Sequence, residues 1–183
     1  MSALYFDIDT SDLRRVASDL GASEKQVRYA FNFARKRTAT SLRTMAARGL
    51  KDELQLRTVT LLRKRLKSAK LKSADDGLAL WFGLNDMPVS WFKGTPRRSA
   101  GGATARGHEF AGAFVAESTF KGRRTVFKRK GKGRLPIEEQ NIPVSDQAQV
   151  YIEDEIFVKT EELFWKYFQR DLAARVKFKI GES

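Results

Sequence analysis

The sequence predicts an α+β fold: basic N-terminal helices, a small, mostly antiparallel sheet with a basic hairpin, and a long C-terminal amphipathic helix. Three observations predict it. Apolar positions recur at three- and four-residue steps from Val27 to Met45 and again from Ile156 to Leu172. Between these stretches Leu78, Leu80, Phe82 and Leu84 alternate with Ala79, Trp81 and Gly83, which is the period of a buried strand. Leu135-Pro136-Ile137 and Ile142-Pro143-Val144 are held extended, because proline excludes the helical region for the residue before it.

Each element follows from local signals. Leu4 to Ile8 alternates weakly, as a short strand does. Asp9, Thr10 and Ser11 offer N-cap oxygens for a helix with Leu13, Val16, Ala17 and Leu20 on its apolar side, stopped by Gly21. Ser23 and Gln26 stand at capping-box spacing and open a long helix to about Arg48. Its apolar stripe is Val27, Phe31, Ala34, Thr38, Leu42 and Met45; Arg28, Arg35, Lys36 and Arg43 fall outside it, and Gly49 ends it. Leu50 to Leu56 reads as a short helix, and a basic one follows from Val59 to about Leu71. After Asp75-Asp76-Gly77 come the strand from Leu78, a second at Val89 to Phe92, and a third within Phe110 to Phe120, paired with Thr125 to Lys128. Asp146 and Gln149, again at capping-box spacing, open one helix to about Ala174, with Phe164, Phe168 and Leu172 on its stripe. Val176, Phe178 and Ile180 fit either a terminal strand or a last helical turn. Lys93 to Gly107 has four glycines, one proline and no large apolar side chain, and is expected to be a mobile loop.

The expected organisation is one domain, 1–183, with a basic helical part (1–72), a β-rich part (73–145) containing the mobile loop 93–107, and a C-terminal helix and tail (146–183). Hydrophobic residues are 42% of the 183, enough to build a core, so the chain is no disordered basic tail. Cysteine is absent, which excludes disulfides, thiolate metal sites and cysteine nucleophiles. His108 is the one histidine, so multi-histidine metal sites are excluded too. No apolar run approaches the ~18 residues a membrane helix needs, and the start lacks the pattern of a signal peptide.

The net charge is +13, and it is segregated. Residues 24–72 carry net +12 and residues 93–134 net +10, whereas residues 135–165 carry net −7. Basic blocks of this kind suit a polyanion such as the DNA backbone, and basic and acidic faces on one chain suit identical subunits meeting head to tail. Two groups of cations are the candidate contacts with DNA or a partner. Arg57, Arg63, Lys64, Arg65 and Lys67, with Lys70 and Lys72, lie along the basic helix. Lys121, Arg123, Arg124, Lys128, Arg129, Lys130, Lys132 and Arg134 lie among Gly122, Gly131 and Gly133, where glycine lets a backbone approach phosphate; they read as the tip of a basic hairpin. A solvated helix face and an ordinary basic hairpin are the plain alternatives. Glu153, Asp154, Glu155 and Trp91 are the candidate oligomer contacts.

Catalytic signals are weak. His108-Glu109 lacks the second histidine of the helical zinc motif, and the glycine-rich basic segment lacks the order of a phosphate-binding P-loop. Asp75-Asp76, Glu138-Glu139 and Glu153-Asp154-Glu155 could supply carboxylates to a metal-dependent nuclease, but no spacing singles out a ligand set. No catalytic, metal-binding or cofactor-binding residue is therefore assigned. A metal-dependent DNA-processing nuclease and a sequence-independent nucleic-acid-binding protein stay open as alternatives.

The order of motifs resembles a known family. Gly112-Ala113-Phe114-Val115 is followed by the basic segment, Val126-Phe127-Lys128-Arg129, Gly131-Lys132-Gly133-Arg134-Leu135-Pro136-Ile137, Asn141-Ile142-Pro143 and a long amphipathic helix. This order, over roughly residues 57–180, resembles the phage minor tail protein Z family, the tail completion proteins of lambda-like tails. The resemblance implies a non-enzymatic virion component at the head-proximal end of the tail, assembled in the host cytoplasm and needing no cofactor. It implies a role in tail maturation, head–tail joining and DNA positioning. It also implies a self-associating, six-fold ring whose partners are tail terminator, tail tube and head–tail connector proteins, with DNA backbone in the lumen and no membrane contact. Residues 1–23, a short strand and helix, depart from a plain basic arm.

Overall fold

A computed structural model describes residues 10–69, 79–118 and 122–181. The expected strand Leu4 to Ile8, the turn at Asp75-Asp76-Gly77, and Lys70, Lys72 and Lys121 lie outside the described residues. The fold is α+β, and the chain forms two compact units whose segments interleave in sequence. One comprises Met1–Arg48, Arg63–Gly83 and Tyr151–Ser183; the other comprises Gly49–Leu62 and Leu84–Val150.

The first unit is mainly helical. α1 (Thr10–Asp19) ends where Gly21 takes φ 61, the left-handed geometry that glycine adopts most cheaply. α2 (Glu24–Glu53) opens with the expected capping box: the Gln26 N–H donates to Ser23 Oγ (3.3 Å), and the Ser23 N–H donates to Gln26 Oε1 (3.0 Å). Ala30 and Ala34 on α2 are fully buried beside Phe164, Phe168 and Leu172 of α5 (Thr160–Lys177). The small alanines leave room for the rings. Phe164 and Phe168 stack at 5.9 Å between centroids, and Phe31 and Trp165 meet Phe164 edge-on at 5.6 Å each. Burying a phenylalanine contributes about 1.5–3 kcal/mol, so Phe164 and Phe168 each stabilise the unit on that scale.

Two helical expectations are corrected here. Gly49 does not end α2, which runs to Glu53; buried Ala46, Ala47 and Leu50 carry the helix past a glycine that costs only about 1 kcal/mol. Lys51 and Asp52 lie in this last turn, and Gln55 at φ 50 follows it. The helix expected from Val59 to Leu71 is only α3 (Thr60–Arg65). Leu66–Ala69 forms β1, antiparallel to β2 (Ala79–Phe82), with Leu66 opposite Phe82. As a helix this segment would stack like charges at Arg63, Lys64 and Lys67 three and four residues apart. As a strand it gains a ladder and buries Leu66 with Phe82.

The long C-terminal helical stretch is the expected one, from Ser145 to Lys177, and its winding changes midway. α4 (Ser145–Tyr151) passes into a π-helical turn (Ile152–Ile156) and a 3-10 turn (Phe157–Lys159) before α5. The turn affects how the buried row is aligned. Ile152, Ile156, Thr160, Phe164, Phe168 and Leu172 are all buried, always four residues apart. In a straight α-helix such a row advances about 40° per step, roughly 200° in all. The π-turn, with more residues per turn, takes back part of that drift, and the 3-10 turn after it, with fewer, adds to it. After α5 the chain closes in a turn rather than a strand: the Ile180 N–H donates to the Arg175 carbonyl (2.9 Å).

Among the described residues, the second unit is built on three antiparallel sheets. β4 (Arg97–Ser99), β5 (Gly102–Ala105) and β6 (His108–Ala111) form one, and β7 (Ala113–Glu117), β8 (Arg124–Arg129) and β9 (Ile137–Glu139) form another. β3 (Met87–Pro88) pairs with β10 (Asn141–Ile142). The β7–β8 pairing, Phe114 opposite Phe127 and Val115 opposite Val126, is the expected one. Val89–Trp91, expected as a strand, is a 3-10 turn; it puts Val89 and Phe92, three apart, on one buried side, which a strand could not do.

The expected mobile loop 93–107 is instead β4, β5 and their turns. Its small residues are a packing requirement. Ala103 and Ala105 are buried, and a Cβ added to Gly102 would lie 2.1 Å from the Phe110 carbonyl oxygen. Arg106 (φ 52) and Gly107 (φ 79) close the two-residue β5–β6 turn, a geometry that matches strand twist.

Candidate nucleic-acid and assembly interface

The structure divides both groups of predicted cations. Arg57 is on no helix and belongs to the second unit, whereas Arg63 and Arg65 belong to the first. The Arg57 N–H donates to the Trp91 carbonyl (2.9 Å) and its Nη2 to the Gly94 carbonyl (2.8 Å), so this arginine ties two loop segments together. Arg63 is exposed and Arg65 half-buried; Lys64 lies on α3 and Lys67 on β1, and their side chains are outside the described residues.

The second group is not one hairpin tip. Arg123 and Arg124 are at the start of β8; Lys128, Arg129, Lys130, Lys132 and Arg134 are at its far end and in the turn to β9. Six strand residues separate the ends by about 20 Å. Within β8, side chains alternate across the sheet. Lys128 shares a side with Val126 and lies opposite Glu138, while Arg129 turns the other way, its guanidinium 5.4 Å from the Phe114 ring centre. The Lys130 ammonium pairs with the Glu138 carboxylate, and the Lys130 N–H donates to the Pro136 carbonyl (3.1 Å), fixing the neck of the turn. Beyond that neck Gly131, Lys132, Gly133 and Arg134 are all exposed. Together with Lys128 and Arg129 at the end of β8, the tip from Lys130 to Arg134 forms an exposed run of five cations in seven residues.

The sheet behind the tip is braced by a buried polar contact. Thr125 is fully buried and donates to Glu139 Oε1 (2.5 Å), which also accepts the Ser90 N–H (2.9 Å). Glu139 of the acidic pair is therefore occupied within the fold, and Glu138 faces the basic tip.

Sequence reasoning missed a further set of cations. Lys93, Arg97, Arg98 and Arg106, assigned to a mobile loop, stand on ordered backbone. Arg106 donates to Gln55 Oε1 (3.0 Å) and lies 5.4 Å from the centre of the Phe92 ring. The alternation of Ala103 and Ala105 around Thr104 was the available signal. In the same unit a hydrogen bond from Lys51, then its charge, hold the Asp52 carboxyl below its usual range. Stability from that pair is present at neutral pH and fades as acid protonates Asp52, but its exposure leaves it screened by solvent.

The candidate oligomer contacts lie in different units. Glu153, Asp154 and Glu155 are exposed on the π-turn, because Ile152 and Ile156 are the residues turned inward. Trp91 is half-buried in the second unit. Among the described residues, no group of three or more His, Cys, Asp or Glu side chains is arranged to hold a metal ion. No helix among them is long and apolar enough to cross a membrane.

The arrangement offers exposed charge on ordered backbone, the equipment of a binding or assembly protein. The family model for prophage minor tail protein Z (GPZ) matches residues 87–181, about half of the chain. The chain belongs to this family of phage minor tail proteins. The match runs from β3 to the turn after α5, so it takes in the basic tip and the acidic π-turn; Arg57 to Leu66 and the strand from Leu78 lie outside it. No curated protein and no solved structure matches the chain.

Proposed function

We propose that this protein is a structural, non-enzymatic completion component at the head-proximal end of a phage tail. In this reading it matures the tail, supports head–tail joining and positions DNA, as a ring of identical subunits contacting terminator, tube and connector proteins. The family match over residues 87–181 carries the reading. The exposed tip from Lys130 to Arg134 supports a contact with DNA backbone in the lumen. Glycines flank its cations, so the chain can approach phosphates closely, and each phosphate neutralised releases counterions. Glu153, Asp154, Glu155 and Trp91 are the proposed contacts between subunits, and the cations from Arg63 to Lys67 are a second proposed polyanion surface.

The test is a triple variant, Lys130→Gln, Lys132→Gln and Arg134→Gln, supplied to a phage that lacks the gene for this chain. The tip is exposed, so the melting temperature should stay within a degree or two of the parent. Infectious yield should fall at least ~tenfold, with tails present but poorly joined or slow to deliver DNA. A normal yield would sink the role of the tip.

A further inference from the structure

We infer that copies of this chain dock head to tail through two opposite poles of α5. The inference deepens the proposed ring by assigning it a specific pair of surfaces, both within the first unit.

One pole precedes and opens α5. Glu153, Asp154 and Glu155 are exposed together on the π-turn, and Glu161 and Glu162 are exposed on the first turn of α5. Val158 sits between the two groups, 68% exposed. The single cation in this stretch, Lys159, lies 3.7 Å from Glu155 and leaves the pole acidic.

The other pole closes α5 and has the opposite character. Lys177 and Lys179 are exposed, and so are Phe178 (66%) and Ile180 (51%). Arg28, Tyr29 and Phe33 of α2 extend it, with both rings exposed one helical turn apart. This pole is held in place. Gln26 Nε2 donates to the carbonyls of Arg175 (3.3 Å) and Ile180 (3.4 Å), and the Arg175 guanidinium lies 5.5 Å from the centre of the Tyr29 ring. A Cβ at Gly181 would rest 3.4 Å from that ring.

The poles lie at the two ends of an 18-residue helix, about 27 Å apart, so within one copy they cannot meet. Between copies the basic, aromatic pole faces an acidic one with an apolar centre. Exposed apolar groups rimmed by charge mark a contact surface, and two different complementary patches on one chain make a heterologous interface, the kind that closes rings. The acidic pole repels nucleic acid, so the pair of poles fits a second copy.

Charge exchange in the purified full chain tests this. By sedimentation velocity at low salt the parent should associate, and 1 M salt should weaken that association. Lys177→Glu with Lys179→Glu, and separately Glu161→Lys with Glu162→Lys, should each raise the dissociation constant at least ~tenfold. An equal mixture of the two variants, or all four changes in one chain, should restore association. Phe178→Ser, which removes an exposed ring and no charge, should also weaken it; circular dichroism confirms that each variant is folded. A parent that stays monomeric at its solubility limit would overturn the inference, as would association indifferent to both exchanges or binding of single-stranded DNA by this pole instead. The tip variant should associate like the parent while failing in the phage. A failed exchange beside that phenotype overturns the poles alone, whereas an exchange that succeeds beside a normal phage yield overturns only the tip.

Discussion

The two units solve the burial problem in different ways. The first fills its core with large rings: Phe164, Phe168, Phe31 and Trp165 pack over Ala30 and Ala34. In the second, the β4–β5–β6 sheet packs through small residues, with Gly102, Ala103 and Ala105 letting backbones come close, and holds its position through hydrogen bonds. A core of rings should lose stability when volume is removed. A sheet of close backbones should lose it when volume is added.

Three substitutions probe that contrast, in falling order of effect. Phe164→Ala removes a buried ring that touches three others and should cost about 3–5 kcal/mol, read as a lower denaturant midpoint. A negligible shift would mean that the rings do not hold the first unit. Gly102→Ala adds one methyl group against the Phe110 carbonyl oxygen and the Gly112 nitrogen, both backbone, so no side-chain movement relieves it. It should cost about 1–3 kcal/mol and lower hydrogen-exchange protection across β5 and β6. Unchanged protection would show that this sheet tolerates volume after all. Thr38→Val has the opposite sign. Thr38 is fully buried in α2 and its hydroxyl has no hydrogen-bond partner among the described residues, so the substitution should raise stability by about 1 kcal/mol in thermal unfolding. A loss of stability would place a hydrogen-bonding partner beside that hydroxyl.

The same contrast explains what the sequence revealed. Large side chains at helical spacing announce themselves, so the stripe from Ile156 to Leu172, the Ser23–Gln26 capping box and the β7–β8 pair were legible from residue types. The sheet at 97–111 was not. Its inward residues are glycine and alanine, which carry little hydropathy signal, and its β5–β6 turn uses Arg106-Gly107 where asparagine-glycine is the usual mark. β1 was hidden for another reason: Leu62 and Leu66 fit a helix, and only pairing with distant β2 makes Leu66 part of a strand. The π-turn was not legible, because the same four-residue spacing continues through α5, which keeps α-helical winding. Among the candidate site residues, the exposure of Lys130, Lys132 and Arg134 followed from glycine and charge. The separation of Arg123 and Arg124 from them depends on the length of β8, and the transfer of Arg57 to a loop on the end of α2 at Glu53.

The most direct test of the central reading, that this chain completes a phage tail, is electron microscopy of virions assembled with and without its gene. The account predicts that the parent yields joined, filled particles, and that deletion yields separate heads and tails, or joined particles that do not deliver DNA. Particles of normal appearance and full infectivity without this protein would contradict it.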